Sequence, residues 1–287
     1  MRALIGLLLL LAVTGAQAGV AALVIDDLGY SKQLARRALA LPPPVVAAVL
    51  PDTPYSTRIA RAAERAGTEV ILHLPMEPVS AGFGSTPDML RMHMNAHAFR
   101  ARVQRALRSV PGAVGVNNHM GSRLTGAGRP MHLLMDELAR MPADLLFLDS
   151  RTTAESRAAQ AALAAGLRTA QRDVFLDNDL DPVAIETQVR RWLAQARKDG
   201  CALAIGHPHP ATLRVLERVL PRADDVERVG IQEYVDRCGT RGNGGSLWRV
   251  SSYPSPTAPR SSRPSPSSTS SGAPASRSSS PDSATDP

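Results

Sequence analysis

From residue 20 to residue 235 the chain repeats one pattern: a short run apolar at every position, then a stretch whose apolar residues recur at helical spacing. Runs at 20–25, 45–50, 70–74, 113–116, 145–148, 174–176 and 202–205 read as strands, and a weaker run at 228–231 as another. Between them, Ser31 is placed to cap a helix carrying Leu34, Ala38 and Leu41, and Ile59, Ala62, Ala63 and Ala66 form a second stripe that ends at Gly67. Further helices are expected near 96–109, 132–140, 155–165, 182–198 and 211–220. A strand facing solvent on one side alternates apolar and polar residues; one that is apolar throughout belongs in a parallel sheet covered by helices. The pattern therefore specifies an α/β fold of about seven strands, either a barrel or an open sheet.

In such folds the chemistry collects in the loops at the carboxyl ends of the strands. Here the first run ends in Asp26-Asp27, and the third in His73 with Glu77 four residues on. The fourth ends in Asn117-Asn118-His119 with Ser122 close behind, the fifth in Asp149-Ser150, and the seventh in Gly206-His207-Pro208-His209. If the strands are parallel neighbours, these groups converge on one rim. Converging Asp and His side chains suit a divalent metal, zinc above all, with a position left open for catalysis. A carboxylate beside such a site can take a proton from water, and an imidazole can return one to a leaving group. Successive strand residues point to opposite faces, so one of Asp26 and Asp27 is expected to bind metal while the other faces substrate.

Each residue also has a plain structural reading: an Asp pair as a turn former, Asp149 as a helix cap, His73 as a satisfied strand-end histidine, and one of His207 and His209 as solvent-facing. The set argues for a site more strongly than any member does. His93 and His97 have ligand spacing, but Asn95 between them is a natural N-cap that leaves His93 outside the helix. His132 stands alone. A Gly-x-Ser-x-Gly elbow and a phosphate-cradling loop are both missing from the sequence, which removes serine hydrolases and nucleotide enzymes from the field.

The two ends read differently. Residues 1–18 carry Arg2, an apolar run from Leu4 to Val13 and Ala16-Gln17-Ala18, the layout of a secretory signal peptide too short to span a bilayer. Residues 240–287 form a Pro/Ser-rich tail that cannot bury enough apolar surface to order itself. A single domain over 19–239 is left, expected to be periplasmic or secreted, with no stable membrane span once the signal is cleaved. The formal charge is +7, carried by arginines scattered among acids, with only Lys32 and Lys198 as lysines. Nucleic acid is therefore not expected as a partner. For Cys201 and Cys238 a disulfide and a buried free thiol both stay open.

The stretches Val24-Ile25-Asp26-Asp27-Leu28-Gly29, His73-Leu74-Pro75-Met76-Glu77, Gly115-Val116-Asn117-Asn118-His119-Met120-Gly121-Ser122, Phe147-Leu148-Asp149-Ser150-Arg151 and Ile205-Gly206-His207-Pro208 occur in the order found in the divergent polysaccharide deacetylase family. The chain resembles that family over about residues 20–220. The resemblance implies an irregular (β/α) barrel of mostly parallel strands, and a relation to metal-dependent enzymes that remove acetyl groups from sugars. It implies Asp26 as base, Asp27 as metal ligand and His207 as general acid. A His-x-x-x-His motif normally supplies two more ligands; His73 matches its first position, but Glu77 stands at its second. Either that carboxylate or His119 completes the site, and the expectation adopted is Asp27, His73 and His119 around the metal. The family's Arg-Pro-Pro-Tyr segment is not recognisable here. The expected substrate is an acetylated amino-sugar polymer or peptidoglycan-like glycan. The alternative is an inactive envelope protein that uses the same cleft to bind glycan or a protein partner.

Overall fold

The structure, a computed structural model, describes residues 18–80, 86 and 88–239. The signal segment, apart from residue 18, and the tail read at 240–287 lie outside the described residues. Among the described residues nine strands form one sheet in which every pairing is parallel. They are β1 (Gly19–Leu28), β2 (Val46–Val49), β3 (Glu69–Met76), β4 (Ala113–Met120), β5 (Leu146–Asp149), β6 (Thr169–Gln171), β7 (Val174–Phe175), β8 (Cys201–Gly206) and β9 (Val226–Arg228). The spatial order is β6-β5-β4-β3-β2-β1-β8-β7, with β9 beside the first residues of β1. Among the described residues no ladder joins β6 to β7, so the barrel stays open there.

Seven helices return the chain from one strand towards the start of the next: α1 (Lys32–Leu39), α2 (Ser56–Arg65), α3 (Ala96–Ser109), α4 (Gly128–Ala139), α5 (Ala158–Ala164), α6 (Pro182–Asp199) and α7 (Pro210–Val219). Their starts obey local chemistry. Ser31 Oγ accepts from Leu34 N–H, Asn95 Oδ1 from Ala98 N–H, and Asp181 from Val183 and Ala184 N–H. His93, His97 and His132 are exposed, as their plain reading required.

Both faces of the sheet are apolar, which explains the uninterrupted runs. On β1, Ala21, Leu23 and Ile25 join the large core under the helices, while Val20, Ala22 and Val24 join a second, inner core. The inner core corrects one expectation. Residues 228–231 are not one strand: β9 ends at Arg228, and an eighth helix, α8 (Ile231–Cys238), begins at Ile231. Ile231, Tyr234 and Val235 have the i, i+3, i+4 spacing of a helix face, and all three are buried against the inner side of the barrel. A disulfide from Cys201, at the start of β8, to Cys238 ties this helix down, with Cα atoms 6.0 Å apart. No helix among the described residues is long and apolar enough to cross a membrane.

Candidate metal centre and acid–base pair

The inner face of the barrel turns polar at its carboxyl end, and strand parity decides which residues it presents. Two residues beyond inner-core Val24 comes Asp26; beyond Ile71 comes His73; beyond Leu148, Ser150; beyond Ala170, Arg172; and beyond Ile205, His207. On β4, Val116 packs in the outer core, so Asn117 and His119 face inward.

Asp27 breaks this parity. The pairing of β1 with β2 shifts register between Ile25 and Leu28, and Asp27 adopts φ +56°, in the left-handed region that non-glycine residues seldom occupy. The expected opposition of the two carboxylates is therefore overturned. Asp26 Oδ2 lies 3.6 Å and Asp27 Oδ1 3.1 Å from the same atom, His73 Nε2.

Asp27 Oδ1 is also 2.9 Å from His119 Nδ1, which is itself 3.1 Å from His73 Nε2. Three ligand atoms thus lie close together. The side chain of Asn117 fixes the state of one of them. Its Nδ2 donates to Asp26 Oδ1 at 2.8 Å, so its Oδ1 faces His73 Nδ1, also at 2.8 Å, and must accept a proton from it. In its neutral form, with the proton on Nδ1, His73 points its Nε2 lone pair at the carboxylates. This outer-shell bond is of the kind that orients metal-bound imidazoles.

The residues fit a cation on two observations. Asp27 Oδ1 is buried, yet no N–H or O–H is aimed at it, although two ring nitrogens stand about 3 Å away. Oxygen and nitrogen lone pairs at that distance call for a positive charge between them, either a proton on an imidazole or a metal ion. Electrostatics likewise shows that the cluster draws positive charge. Burial pushes the His73 imidazole down, but Asp26 and Asp27 outweigh it and the net shift is upward. Burial pushes Asp27 up, but the neighbouring His119 and His73 imidazoles hold it well below the usual carboxylate range. Asp27, His73 and His119 could hold a metal ion.

On the other side of Asp27 stands His207, its Nε2 3.8 Å from Asp27 Oδ2. Its Nδ1 is 3.0 Å from Oδ1 of Asp177, a residue the sequence reading passed over. Asp177 Oδ2 accepts the His207 backbone N–H at 2.7 Å and the Thr212 hydroxyl at 2.8 Å, so the carboxylate is fully buried and fixed. Burial pushes His207 down, but the Asp177 bond and the charges of Asp26, Asp177 and Asp27 lift it to about 9. Burial raises Asp26, with His73 and His207 pulling against it. The result is a carboxylate that takes a proton readily beside an imidazolium that holds one at neutral pH.

The other expected cleft residues brace the rim. Glu77 is not in the cluster: Oε2 accepts Met92 N–H at 2.8 Å and Oε1 accepts from Arg123 Nη1 at 2.9 Å. Ser122 Oγ accepts Val79 N–H at 3.0 Å. Asn118 Nδ2 donates to Met120 O, and its Oδ1 accepts Ser150 N–H. Asp149 is buried and accepts from Arg151 N–H and Ser156 Oγ. These contacts hold loops that pass through left-handed residues at Met120 (φ +54°), Gly121 (φ +88°) and Arg151 (φ +48°). His209 lies beside His207, ring centroids 5.8 Å apart. Two further residues that the sequence did not reveal line this side. Arg172 lies 5.1 Å from the Phe175 ring centroid, and that ring is 5.1 Å from His207.

Comparisons with known proteins bear on the family and the fold. The sequence model of the divergent polysaccharide deacetylase family matches residues 23–235. The uncharacterized protein YibQ of Escherichia coli (strain K12) is 40% identical over 203 residues, which cover 71% of this chain and 63% of that protein. The chain thus spans less than two thirds of that relative's length. An uncharacterized protein of Haemophilus influenzae is 36% identical over 231 residues, covering 79% of this chain and 76% of that one. The crystal structure of an uncharacterized protein from Agrobacterium tumefaciens C58 superposes with a TM-score of 0.72 at 25% identity, over 77% of this chain and 90% of the other.

Proposed function

The chain belongs to the divergent polysaccharide deacetylase family, and on that premise we propose that it is a metal-dependent hydrolase that removes acetyl groups from amino sugars of the cell envelope. The observation that carries the proposal is the meeting of Asp27, His73 and His119 around buried lone pairs, with Asp26 and His207 flanking them. Asp27, His73 and His119 would hold the ion, zinc by the borderline character of a two-imidazole, one-carboxylate set. When bound, the ion supplies Lewis acidity for the acetyl carbonyl and for the attacking water.

The remaining chemistry belongs to side chains. Asp26 receives the proton of the water that attacks the acetyl carbon, and Asn117 holds it in place by donating to Oδ1. His207 hands the proton on its Nε2 to the sugar nitrogen as the C–N bond breaks, and Asp177 stabilises the imidazolium beforehand. The products are acetate and a free amine, and both protons are accounted for. Export to the periplasm or beyond is part of the proposal; the Cys201–Cys238 disulfide, a bond that persists in oxidising compartments, supports it.

The alternative is an inactive envelope protein that uses the same cleft to bind glycan or a protein partner, prompted by Glu77 at the usual ligand position. Glu77 is bound to Met92 and Arg123, and three other donors could hold a metal without it, so Glu77 by itself does not argue for that reading. The test is acetate release from N-acetylglucosamine oligomers and from peptidoglycan by zinc-loaded protein, compared with Asp26→Asn. The proposal expects release by the wild type and at least a hundredfold loss in the variant. Zinc-loaded protein that releases no acetate from either polymer, or a variant as fast as the wild type, defeats it.

A further inference from the structure

A second group of donors stands apart from the first three: Asp177, His207 and His209 each offer a ligand atom, all within 4.8 Å of one another. Its composition, two imidazoles and a carboxylate, repeats that of the first group. The members differ in how firmly they are held. Asp177 cannot swing away, because its buried carboxylate is fixed by the His207 backbone N–H and the Thr212 hydroxyl. His207 is fixed through Nδ1, 3.0 Å from Asp177 Oδ1. A first-row cation lies about 2.0–2.2 Å from imidazole nitrogen and carboxylate oxygen, so the space that now holds the Nδ1 proton accommodates an ion shared by the pair.

His209 supplies the independent observation. It is exposed, it occupies the N-cap position of α7 without capping it, and among the described residues its imidazole has no hydrogen bond. It packs into no core. Pro208 and Pro210 fix the backbone on either side of it, and its ring lies tilted towards His207. An imidazole on a proline-flanked backbone beside an Asp–His pair, with no hydrogen bond of its own, is a donor open to an ion.

We infer that Asp177, His207 and His209 form a second, weaker site for a zinc-class cation, and that its occupation switches the enzyme off by taking the place of the proton on His207 Nδ1. The inhibitory half rests on the deacetylase reading; the binding half does not. The exchange balances: one cation enters and the proton between His207 and Asp177 leaves to solvent. With a cation on Nδ1, His207 keeps its Nε2 proton but is no longer an imidazolium, and that much weaker acid does not protonate the sugar nitrogen. The site is weaker than the first because the ion must displace that proton and lies beside the positive end of α7.

The experiment titrates Zn²⁺ into metal-free full-length protein by calorimetry, and follows the histidine ring resonances by NMR. Two ions are expected. The first moves the signals of His73 and His119, and the second, at least tenfold weaker, moves those of His207 and His209. His209→Ala should keep the first event and lose the second; Asp27→Asn should lose the first and keep the second. One ion in the wild type, or two in His209→Ala, overturns the site. In the activity arm, zinc beyond one equivalent should slow acetate release by the wild type, and His209→Ala should resist. Equal inhibition of both proteins overturns the switch. Protein that binds two ions but releases no acetate at one equivalent refutes the deacetylase reading and leaves the second site standing.

Discussion

Asp177→Asn isolates the group that charges His207. In the wild type the imidazole is lifted to about 9, against an ordinary value of about 6.5. The difference of about 2.5 units corresponds to about 3 kcal/mol of preference for the protonated form in the folded state. The His207 side chain is only 17% exposed, so solvent screening removes little of this. Because the folded pKa lies above the unfolded one, this stabilisation is complete below pH 6.5 and is lost as pH rises through 9. Removing the Asp177 charge takes away a bond and a charge that raise His207, so its pKa falls, with burial still pushing it down and Asp26 and Asp27 still pulling it up. Two measurements on metal-free protein follow. NMR titration should place wild-type His207 near 9 and the variant clearly lower. Denaturant unfolding should show a larger loss of stability between about pH 6.5 and 9.5 in the wild type than in the variant, by up to about 3 kcal/mol. With zinc bound, the variant's acetate release at pH 8 should drop, because a smaller fraction of His207 carries the proton it donates. A wild-type His207 that titrates near 6.5 would refute the reasoning, because Asp177 would then not be charging it.

Three further outcomes follow from the geometry. Asn117→Ala removes the acceptor for His73 Nδ1, and equilibrium dialysis should show zinc affinity at the first site weakened about 10- to 100-fold; an unchanged affinity would mean that His73 is oriented by something else. Glu77→Gln, at a residue that binds Met92 and Arg123, should leave first-site zinc affinity within about twofold, and a large loss would restore Glu77 as a ligand. Cys201→Ser with Cys238→Ser opens a crosslink between residues 37 apart, for which loop-closure entropy gives about 4 kcal/mol; guanidinium unfolding should show a loss of 2–4 kcal/mol, and less than 1 would mean that α8 is held by packing alone.

The parts of this fold that periodicity governs were legible before any coordinates. Strands buried on both faces leave uninterrupted apolar runs, and capped helices announce their starts, so β1 to β5, β8 and the helix at 96–109 could be read directly. The same logic placed Asp26, Asp27, His73, His119 and His207 on one rim. What escaped depended on features that carry no period. α8 was hidden because its first apolar residue, Ile231, also reads as the end of a strand, and only packing inside the barrel decides between them. Asp177 stands directly after the apolar run at 174–176, as the other site residues stand after theirs, but no histidine stands beside it to mark it in the sequence. Which polar rim residues enter the site and which brace it is set by the left-handed turns at Asp27, Met120 and Arg151. Those turns draw Asp27 inward, and side-chain bonds tie Glu77, Ser122 and Asn118 into the loops; neither effect leaves a trace in residue spacing.

The central claim is that one cation sits between Asp27, His73 and His119. Anomalous diffraction from crystals of the protein soaked with one equivalent of zinc tests it most directly. The account predicts a single peak about 2.0–2.2 Å from Asp27 Oδ1, His73 Nε2 and His119 Nδ1. A peak bound elsewhere, or density in which any of those three atoms turns away from the ion, would contradict it.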